Sequence, residues 1–312
     1  MTSLPVKSVC RDRNSIGRAK RNGLGWLMQA APDKAQRGAI PRRRQPGIAL
    51  RKDVAMKKLP TEYADLGEVR IAFCQHGSGP TLLLLHGNSE SKRSFFQYQT
   101  RYFAEFHTLA IDSRGHGESR SDNTDFSIEQ YANDVIGLCR KKGVDKASVI
   151  GYSDGGNIAL FLACKAPEMF PRIIAISPNY LVEGTVDWAL AVFRFLSGTM
   201  KMLGALGINT RKAIARFNLV LTDIGMTEAD LRGIRTQVDI LCAENDLIKE
   251  EHIKRIAELI PKSRLFKVGG CNHISILGKP KAIEIMRNLL LYPDAAGSTA
   301  EIVGAERPGA AQ

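Results

Sequence analysis

The feature that most constrains the fold is an alternation of short apolar runs with longer segments of helical periodicity. The runs predicted to be strands are Val69–Gln75, Thr81–Leu85, Thr108–Asp112, Ala147–Tyr152, Arg172–Ser177, Gln237–Ala243 and Arg264–Val268. The segments predicted to be helices are Ile128–Lys142, Gly156–Lys165, Glu250–Leu259 and Pro280–Leu291. Continuous apolar runs such as Thr81–Leu85 are typical of strands buried on both faces. The alternation therefore predicts an α/β fold, with a mostly parallel sheet flanked by helices.

The alternation stops between about residues 179 and 235. This span contains Trp188–Ile208, which is crowded with Trp, Phe, Leu and Met. Arg194 and Lys201 interrupt that stretch, and each charge would cost roughly 2.5 kcal/mol or more at the centre of a bilayer. We therefore predict a small helical cap inserted between strands, and no membrane span. Its large side chains are expected either to line an apolar substrate pocket, with Trp188 as a candidate substrate contact, or only to pack the cap onto the body.

The positive charge of the chain is concentrated at its amino terminus. The whole chain carries 44 Lys and Arg against 32 Asp and Glu, a formal net charge of +12. Residues 1–55 hold 13 basic and three acidic residues, whereas residues 56–312 hold 31 basic and 29 acidic residues. The nearly neutral body therefore requires no nucleic acid or other polyanionic partner.

Residues 1–55 have the composition of a disordered basic leader, with few large apolar residues and no apolar core of a secretory signal. Three interpretations remain open: a translated upstream region with Met56 as the functional start, an Arg-rich organelle presequence, or a basic arm for nucleic acid or anionic lipid. Residues 295–312, rich in Ala and Gly, are expected to be a disordered tail. This leaves residues 56–294 as the folded domain.

The six cysteines include no CxxC pair. Four of them lie in apolar sequence and are expected to be small core residues: Cys74, Cys139, Cys164 and Cys242. Without a secretion signal, this pattern favours a reduced, cytoplasmic setting over a disulfide framework. Import into an organelle is the alternative if residues 1–55 are a presequence.

The segment Gly151-Tyr152-Ser153-Asp154-Gly155-Gly156 lies between a predicted strand and a predicted helix. A serine on such a sharp turn projects its hydroxyl clear of the sheet, which is the arrangement of a nucleophile elbow. Gly151 and Gly155 leave room where a Cβ would collide with neighbouring backbone. This context, more than the short G-x-S-x-G pattern alone, makes Ser153 the candidate nucleophile.

A nucleophilic serine needs a base, and the base needs an acid that orients it. Asp246 and His273 each follow a predicted strand at its carboxyl end, where open α/β sheets build their sites. Glu244 is the rival acid, and Asp246 is preferred because it lies deeper in the loop.

The other histidines are not expected to act in catalysis. His86 and His116 are predicted to be structural, and His76, His107 and His252 to be exposed or in turns. No cluster with metal-ligand spacing, no GxGxxG and no P-loop motif occurs. We therefore predict no metal and no cofactor.

Five segments together resemble the α/β-hydrolase superfamily: Leu85-His86-Gly87-Asn88, Ile111–Ser119, Gly151–Gly156, Glu244-Asn245-Asp246 and Asn272-His273. The resemblance covers about Lys57–Tyr292. It implies that Ser153 corresponds to the nucleophile, Asp246 to the acid and His273 to the base of that family. It also implies an oxyanion hole formed by the backbone N–H groups of Asn88 and Asp154. The elbow is further similar to that of valacyclovir hydrolase-like esterases.

The function implied is a serine hydrolase that cleaves a small carboxylic ester through an acyl-enzyme. Other acyl or C–C hydrolases on the same triad, such as a thioesterase, amidase or perhydrolase, remain open. So does a non-catalytic ligand sensor on the same fold. The side chain of Asp154 has two interpretations. It is either an acid in the first turn of a helix, or a substrate-binding carboxylate that receives a cationic group such as an α-ammonium.

Overall fold

The structure, a computed structural model, describes residues 59–124 and 126–292. The strands are β1 Glu62–Asp65, β2 Val69–His76, β3 Thr81–Leu85, β4 His107–Ile111, β5 Arg120–Ser121, β6 Ser148–Tyr152, β7 Arg172–Ile176, β8 Gln237–Asn245 and β9 Ser263–Asn272. The helices are α1 Ile128–Lys141, α2 Asp154–Lys165, α3 Asp187–Ala205, α4 Arg211–Val220, α5 Glu228–Gly233, α6 Glu250–Leu259 and α7 Pro280–Leu291. The predicted leader, residues 1–55, and the predicted tail, residues 295–312, lie outside the described residues.

All the described strands belong to one sheet, in the order β1-β2-β4-β3-β6-β7-β8-β9, with β5 paired to β2. Every neighbouring pair from β4 to β9 along this order is parallel, whereas β1, β2 and β5 form an antiparallel edge. The predicted α/β fold with a mostly parallel sheet is therefore confirmed. The sequence did not indicate β1 or β5, because these strands have four and two residues and no continuous apolar run.

The apolar residues of the central strands divide between the two faces of the sheet. In β3, Leu83 and Leu85 belong to a core that also holds residues of α1, α2 and α6. Leu82 and Leu84 belong to a second core with residues of α7 and of the segment around Tyr98. This alternation follows from the two-residue period of a strand, and it explains why strands covered on both faces are continuously apolar.

Helices α3, α4 and α5 lie between β7 and β8, so the predicted insertion of helices between strands is confirmed. α3 and α4 pack together, with the rings of Phe193 and Phe217 6.4 Å apart at their centroids. α5 begins with a capping box formed by Thr227 and Asp230, and its Leu231 is fully buried in the core of the body. The cap proper therefore consists of α3 and α4. In the described ranges, no helix has the length and apolar character needed to cross a membrane.

Candidate active site

Ser153 occupies the turn between β6 and α2, with φ 55° and ψ −118°. Few residues other than glycine adopt a positive φ, and such strain is typical of functional turns. Close packing holds the turn in place. A Cβ at Gly151 would collide with the carbonyl of Gly155, and a Cβ at Gly155 would collide with the carbonyl of Leu85. The two glycines therefore let the elbow approach β3 and α2 closely enough to expose the Ser153 hydroxyl.

The structure brings Ser153, His273 and Asp246 together in one hydrogen-bonded chain. His273 Nε2 lies 3.1 Å from Ser153 Oγ, and His273 Nδ1 lies 2.6 Å from Asp246 Oδ1. Because a carboxylate accepts from Nδ1–H, this arrangement leaves Nε2 free of a proton and able to accept from the serine hydroxyl. His273 and Asp246 are both largely buried, with side-chain exposures of 8% and 4%.

The surroundings of Asp246 keep its carboxylate ionised. Burial alone would raise the pKa of Asp246, but hydrogen bonds from His273, from Ser177 and from the backbone N–H of Ala243 hold that pKa below its ordinary value. Ser177 Oγ donates to Asp246 Oδ2 at 2.6 Å, and the Ala243 N–H donates to the same oxygen at 2.9 Å. An ionised Asp246 can fix the tautomer of His273.

Ser177 is a residue of this site that no sequence motif indicated. It is fully buried, directly follows β7 and has a φ of 51°. Its position at the carboxyl end of a central strand is the same signal that identified Asp246 and His273, so this rule applied to β7 would have found it.

Glu244, the rival acid, lies away from His273. It is the penultimate residue of β8, which extends beyond the predicted end at Ala243. Its Oε2 accepts from the backbone N–H of Gly270 at 2.8 Å. The side chain is exposed, so it has the character of a surface carboxylate.

The two candidate oxyanion donors flank the serine in the same pocket. Asn88 and Asp154 both line the pocket that contains Ser153. In the part of the chain that the structure describes, the backbone N–H of neither residue donates to a protein acceptor. Unused N–H groups beside a nucleophile are suited to bind a developing oxyanion.

The side chains of Asn88 and Asp154 are linked to each other. Asn88 Nδ2 donates to Asp154 Oδ2 at 2.9 Å and to the backbone carbonyl of Arg216, in α4, at 2.8 Å. Asp154 is only 8% exposed, and burial raises its pKa to about 6 despite the hydrogen bond from Asn88. No Lys or Arg in the described ranges forms an ion pair with it.

The pocket in front of Ser153 has a volume of about 350 Å3 and two kinds of wall. The apolar wall comes mainly from the cap and from the segment after β8: Phe193, Phe217, Leu219, Val220, Leu247 and Ile248. The polar wall includes Asn88, Glu90, Asp154 and Asn179. One Glu90 oxygen is buried without a hydrogen-bond partner among the described residues.

Trp188, the predicted substrate contact, does not line this pocket. It is 65% exposed at the start of α3 and points to solvent. Of the stretch Trp188–Ile208, Phe193 is the residue that reaches the pocket. Composition indicates the helix but not which of its faces is turned to the pocket. The prediction of Trp188 as the substrate contact was therefore wrong.

Among the remaining histidines, His86 and His116 are buried and hydrogen-bonded to nearby backbone, as expected of structural residues. The prediction for His252 was wrong. It is 9% exposed, its ring stacks on Tyr180 at 4.7 Å, and its Nε2 accepts from the Tyr180 N–H at 3.2 Å. His252 therefore packs α6 against the segment after β7.

The fold and this hydrogen-bonded chain define a class: an α/β protein with a serine elbow at the carboxyl edge of its sheet. A family model of the α/β-hydrolase fold matches residues 80–201. The enol-lactonase of Burkholderia xenovorans superposes with a TM-score of 0.61 at 19% identity, covering 74% of this chain and 100% of that one. Est816, described as an N-acyl homoserine lactone degrading enzyme, has a TM-score of 0.61 at 23% identity, covering 73% and 99%.

A sequence relative points in the same direction. The 2-(acetamidomethylene)succinate hydrolase of Mesorhizobium japonicum is 31% identical over 131 residues, which are 42% of this chain and 47% of that protein. The chain spans about half the length of the curated relatives it matches. The chain therefore has the α/β-hydrolase fold, and its residues 80–201 match the model of that family.

Proposed function

We propose that the protein is a serine hydrolase that cleaves a small carboxylic ester through an acyl-enzyme intermediate. The observation that carries the proposal is the continuous hydrogen-bonded chain from Ser153 Oγ through His273 to Asp246, at 3.1 Å and 2.6 Å. A serine hydroxyl alone is a weak nucleophile, and a base oriented by a carboxylate is what activates it.

In the proposed reaction, Ser153 Oγ attacks the acyl carbon while His273 Nε2 accepts the hydroxyl proton. The ionised Asp246 stabilises the imidazolium that forms. Collapse of the tetrahedral intermediate breaks the bond to the alkoxy oxygen, and the imidazolium returns the proton to the departing alcohol. Water, deprotonated by His273, then attacks the acyl-enzyme, and the carboxylic acid leaves as Ser153 recovers its proton.

The negative charge that develops on the carbonyl oxygen needs donors that are fixed in advance. The backbone N–H groups of Asn88 and Asp154 fill this role in the proposal, because both border Ser153 and have no acceptor among the described residues. Asp154 also begins α2, so the positive end of the helix dipole adds to the stabilisation. Loss of one such donor costs about 3–4 kcal/mol of transition-state stabilisation in comparable sites.

The size of the pocket favours a small substrate. About 350 Å3 is the volume of roughly a dozen water molecules, at about 30 Å3 each. The two structural neighbours are described as a lactonase and a lactone-degrading enzyme, and lactones are cyclic carboxylic esters. Both points support a short or medium acyl ester, open or cyclic, and neither distinguishes the leaving group.

The test is hydrolysis of a chain-length series of p-nitrophenyl esters by wild type and Ser153→Ala. Wild type is expected to turn over short and medium esters, and the variant to lose at least 100-fold in kcat with an unchanged circular dichroism spectrum. Ser148→Ala, five positions earlier in β6, is the matched control and should retain wild-type activity. Substantial residual activity in Ser153→Ala would reject Ser153 as the nucleophile, and ligand binding without turnover in wild type would indicate a sensor.

A further inference from the structure

The outward face of α3 carries an apolar stripe, interrupted between Phe195 and Met202 by Thr199. Its members are Trp188, Val192, Phe195, Met202, Leu206 and Ile208, in α3 and the turn that follows it. They account for six of the nine large hydrophobic side chains that are exposed in the described residues, so the surface is concentrated on one element. Phe195 and Leu206 are 74% and 73% exposed. Such a patch is unusual on a protein surface and marks an interaction site more often than chance exposure.

The stripe lies on one solvent-facing side of the helix, and it is distinct from the side that is buried. Trp188, Val192, Phe195, Met202 and Leu206 are spaced by three, four or seven residues, which places them in one line along a helix. The opposite side of α3 holds the buried Ala189, Leu190 and Ser197. That side therefore faces the protein, where α3 packs against α4.

Beyond Asp187, the first residue of α3, which pairs with Lys249 at 3.0 Å, the cap around the stripe carries only positive charge. Residues 188–222 contain five basic residues and no acidic residue. Arg194 and Lys201, seven positions apart, flank the stripe on one side, and α4 adds the exposed Arg211 and Lys212. Within the described ranges, none of these four cations has an ion-pair partner.

Charge selects among the possible occupants of this face. The amino-terminal residues 1–55, with 13 basic and three acidic residues, would be repelled by it. A second copy of the chain would bring the same positive face to the contact. An apolar stripe flanked by Lys and Arg is instead the pattern of a helix that lies in the interface of an anionic bilayer, with its apolar side chains among the acyl chains.

We propose that α3 docks the protein on anionic phospholipid bilayers, with Phe195 and Leu206 entering the membrane interface and Arg194 and Lys201 contacting lipid phosphates. The helix lies along the surface, since no helix of the described chain has the properties of a membrane span. Phe193 of the same helix lines the Ser153 pocket, so docking brings a wall of that pocket to the membrane surface. The docking surface does not depend on the proposed reaction.

The test is co-sedimentation of the full chain with vesicles of phosphatidylcholine alone or mixed with phosphatidylglycerol. Wild type is expected to bind the mixed vesicles at least tenfold more tightly than the neutral ones. Phe195→Glu/Leu206→Glu should weaken binding by tenfold or more, whereas Tyr292→Glu, an exposed aromatic residue after α7, should not. Arg194→Gln/Lys201→Gln should weaken binding about thirtyfold, at roughly 1 kcal/mol for each charge. Its control is Arg140→Gln/Lys146→Gln, a pair of exposed basic residues outside the cap.

Three results would overturn the proposal. The first is no binding to either kind of vesicle, or equal binding to both. The second is binding that persists in both α3 double variants and disappears only when residues 1–55 are deleted. The third is a dimer, seen by sedimentation velocity, that Phe195→Glu dissociates while vesicles remain unbound. Because every arm measures binding, a failure here is separable from a failure of ester hydrolysis.

Discussion

Two carboxylates near the end of β8 illustrate how a site is decided at the scale of single residues. Asp246 Oδ1 lies 2.6 Å from His273 Nδ1, and its other oxygen accepts from Ser177 and from the Ala243 N–H. Glu244 accepts from the Gly270 N–H on the protein surface. Only Asp246 is therefore placed to orient the imidazole.

We expect Asp246→Asn to lower kcat by roughly 10^4-fold, because an amide in that position favours the wrong tautomer of His273. Glu244→Gln should lower kcat by less than threefold, since it changes a surface hydrogen bond. The measurement is steady-state hydrolysis of one p-nitrophenyl ester by both variants, with melting temperatures as the control for folding. If Glu244→Gln proved to be the inactive variant, the assignment of the acid would be wrong.

The burial of the Asp154 carboxyl supports its interpretation as a substrate-binding group that receives a cation. Burial raises the pKa of Asp154 to about 6, so the folded state favours the neutral carboxyl. The stability that this neutral form contributes is therefore lost as pH rises through about 6 and the carboxyl ionises. A substrate cation beside the carboxylate would offset that cost. Its hydrogen bond with Asn88 instead supports a structural role.

An amino-acid ester and its des-amino isostere distinguish the two roles of Asp154. If it binds a cation, wild type should prefer the amine by tenfold or more at pH 8, or about 1.4 kcal/mol. That preference should fade as pH drops through about 6, where the carboxyl becomes neutral. Asp154→Asn should show no preference at any pH. Equal kcat/KM values for the two esters in wild type would leave Asp154 as a residue that anchors Asn88 and starts α2.

Candidate residues that stand at positions fixed by the fold could be predicted from the sequence. Contacts that depend on how distant segments pack together could not. Ser153, Asp246 and His273 follow from chain order and from their positions after strands. The link from Asn88 to Asp154 and to the Arg216 carbonyl joins residues far apart in the chain, so no local pattern indicates it.

At the scale of elements, apolar runs located seven of the nine described strands but not all of their ends. β8 and β9 were predicted to end at Ala243 and Val268, and they extend to Asn245 and Asn272. The two strands remain paired through Asn245 and Asn272, beyond an irregularity between Ala243 and Asn245. Backbone pairing does not require apolar side chains. A strand can therefore continue through polar residues, and its hydrophobic pattern then predicts too short a strand.

Phe193 of α3 forms part of the apolar wall of the pocket, so it is the residue to test for acyl-chain selection. Phe193→Ala removes a ring from the apolar wall, so we expect the best p-nitrophenyl ester to become longer by at least two carbons. The rate with acetate should fall by roughly tenfold, because the short chain loses contacts. Tyr292→Ala, an exposed aromatic residue outside the cap, is the matched control. An unchanged chain-length profile would mean that α3 only packs on the body.

At the scale of the whole molecule, residues 59–124 and 126–292 contain the candidate site residues and both cores of the sheet. The fold class could be predicted because alternating strands and helices of this length have few other solutions. The substrate could not, since it depends on a pocket between the cap and the sheet whose shape follows from the orientation of α3 and α4.

Deletion of residues 1–55, which leaves a chain that begins at Met56, should leave kcat/KM for soluble esters unchanged within about twofold. We expect the melting temperature to shift by less than about 2 °C. Such a shift corresponds to a change of less than about 1 kcal/mol in the free energy of unfolding, since 1 kcal/mol corresponds to roughly 2–4 °C in a domain of this size. Thermal denaturation and ester kinetics of the two proteins make the comparison. A loss of several degrees would show that the leader packs on the body.

Covalent labelling of the full chain with a fluorophosphonate, followed by intact-mass analysis and peptide mapping, tests whether Ser153 is the nucleophile. An activated serine attacks phosphorus and expels fluoride, so we expect one adduct for each chain, located on Ser153. Ser153→Ala should remain unlabelled, and His273→Ala should label far more slowly. Ester hydrolysis by wild type without a Ser153 adduct, or an adduct on another residue, would contradict the account.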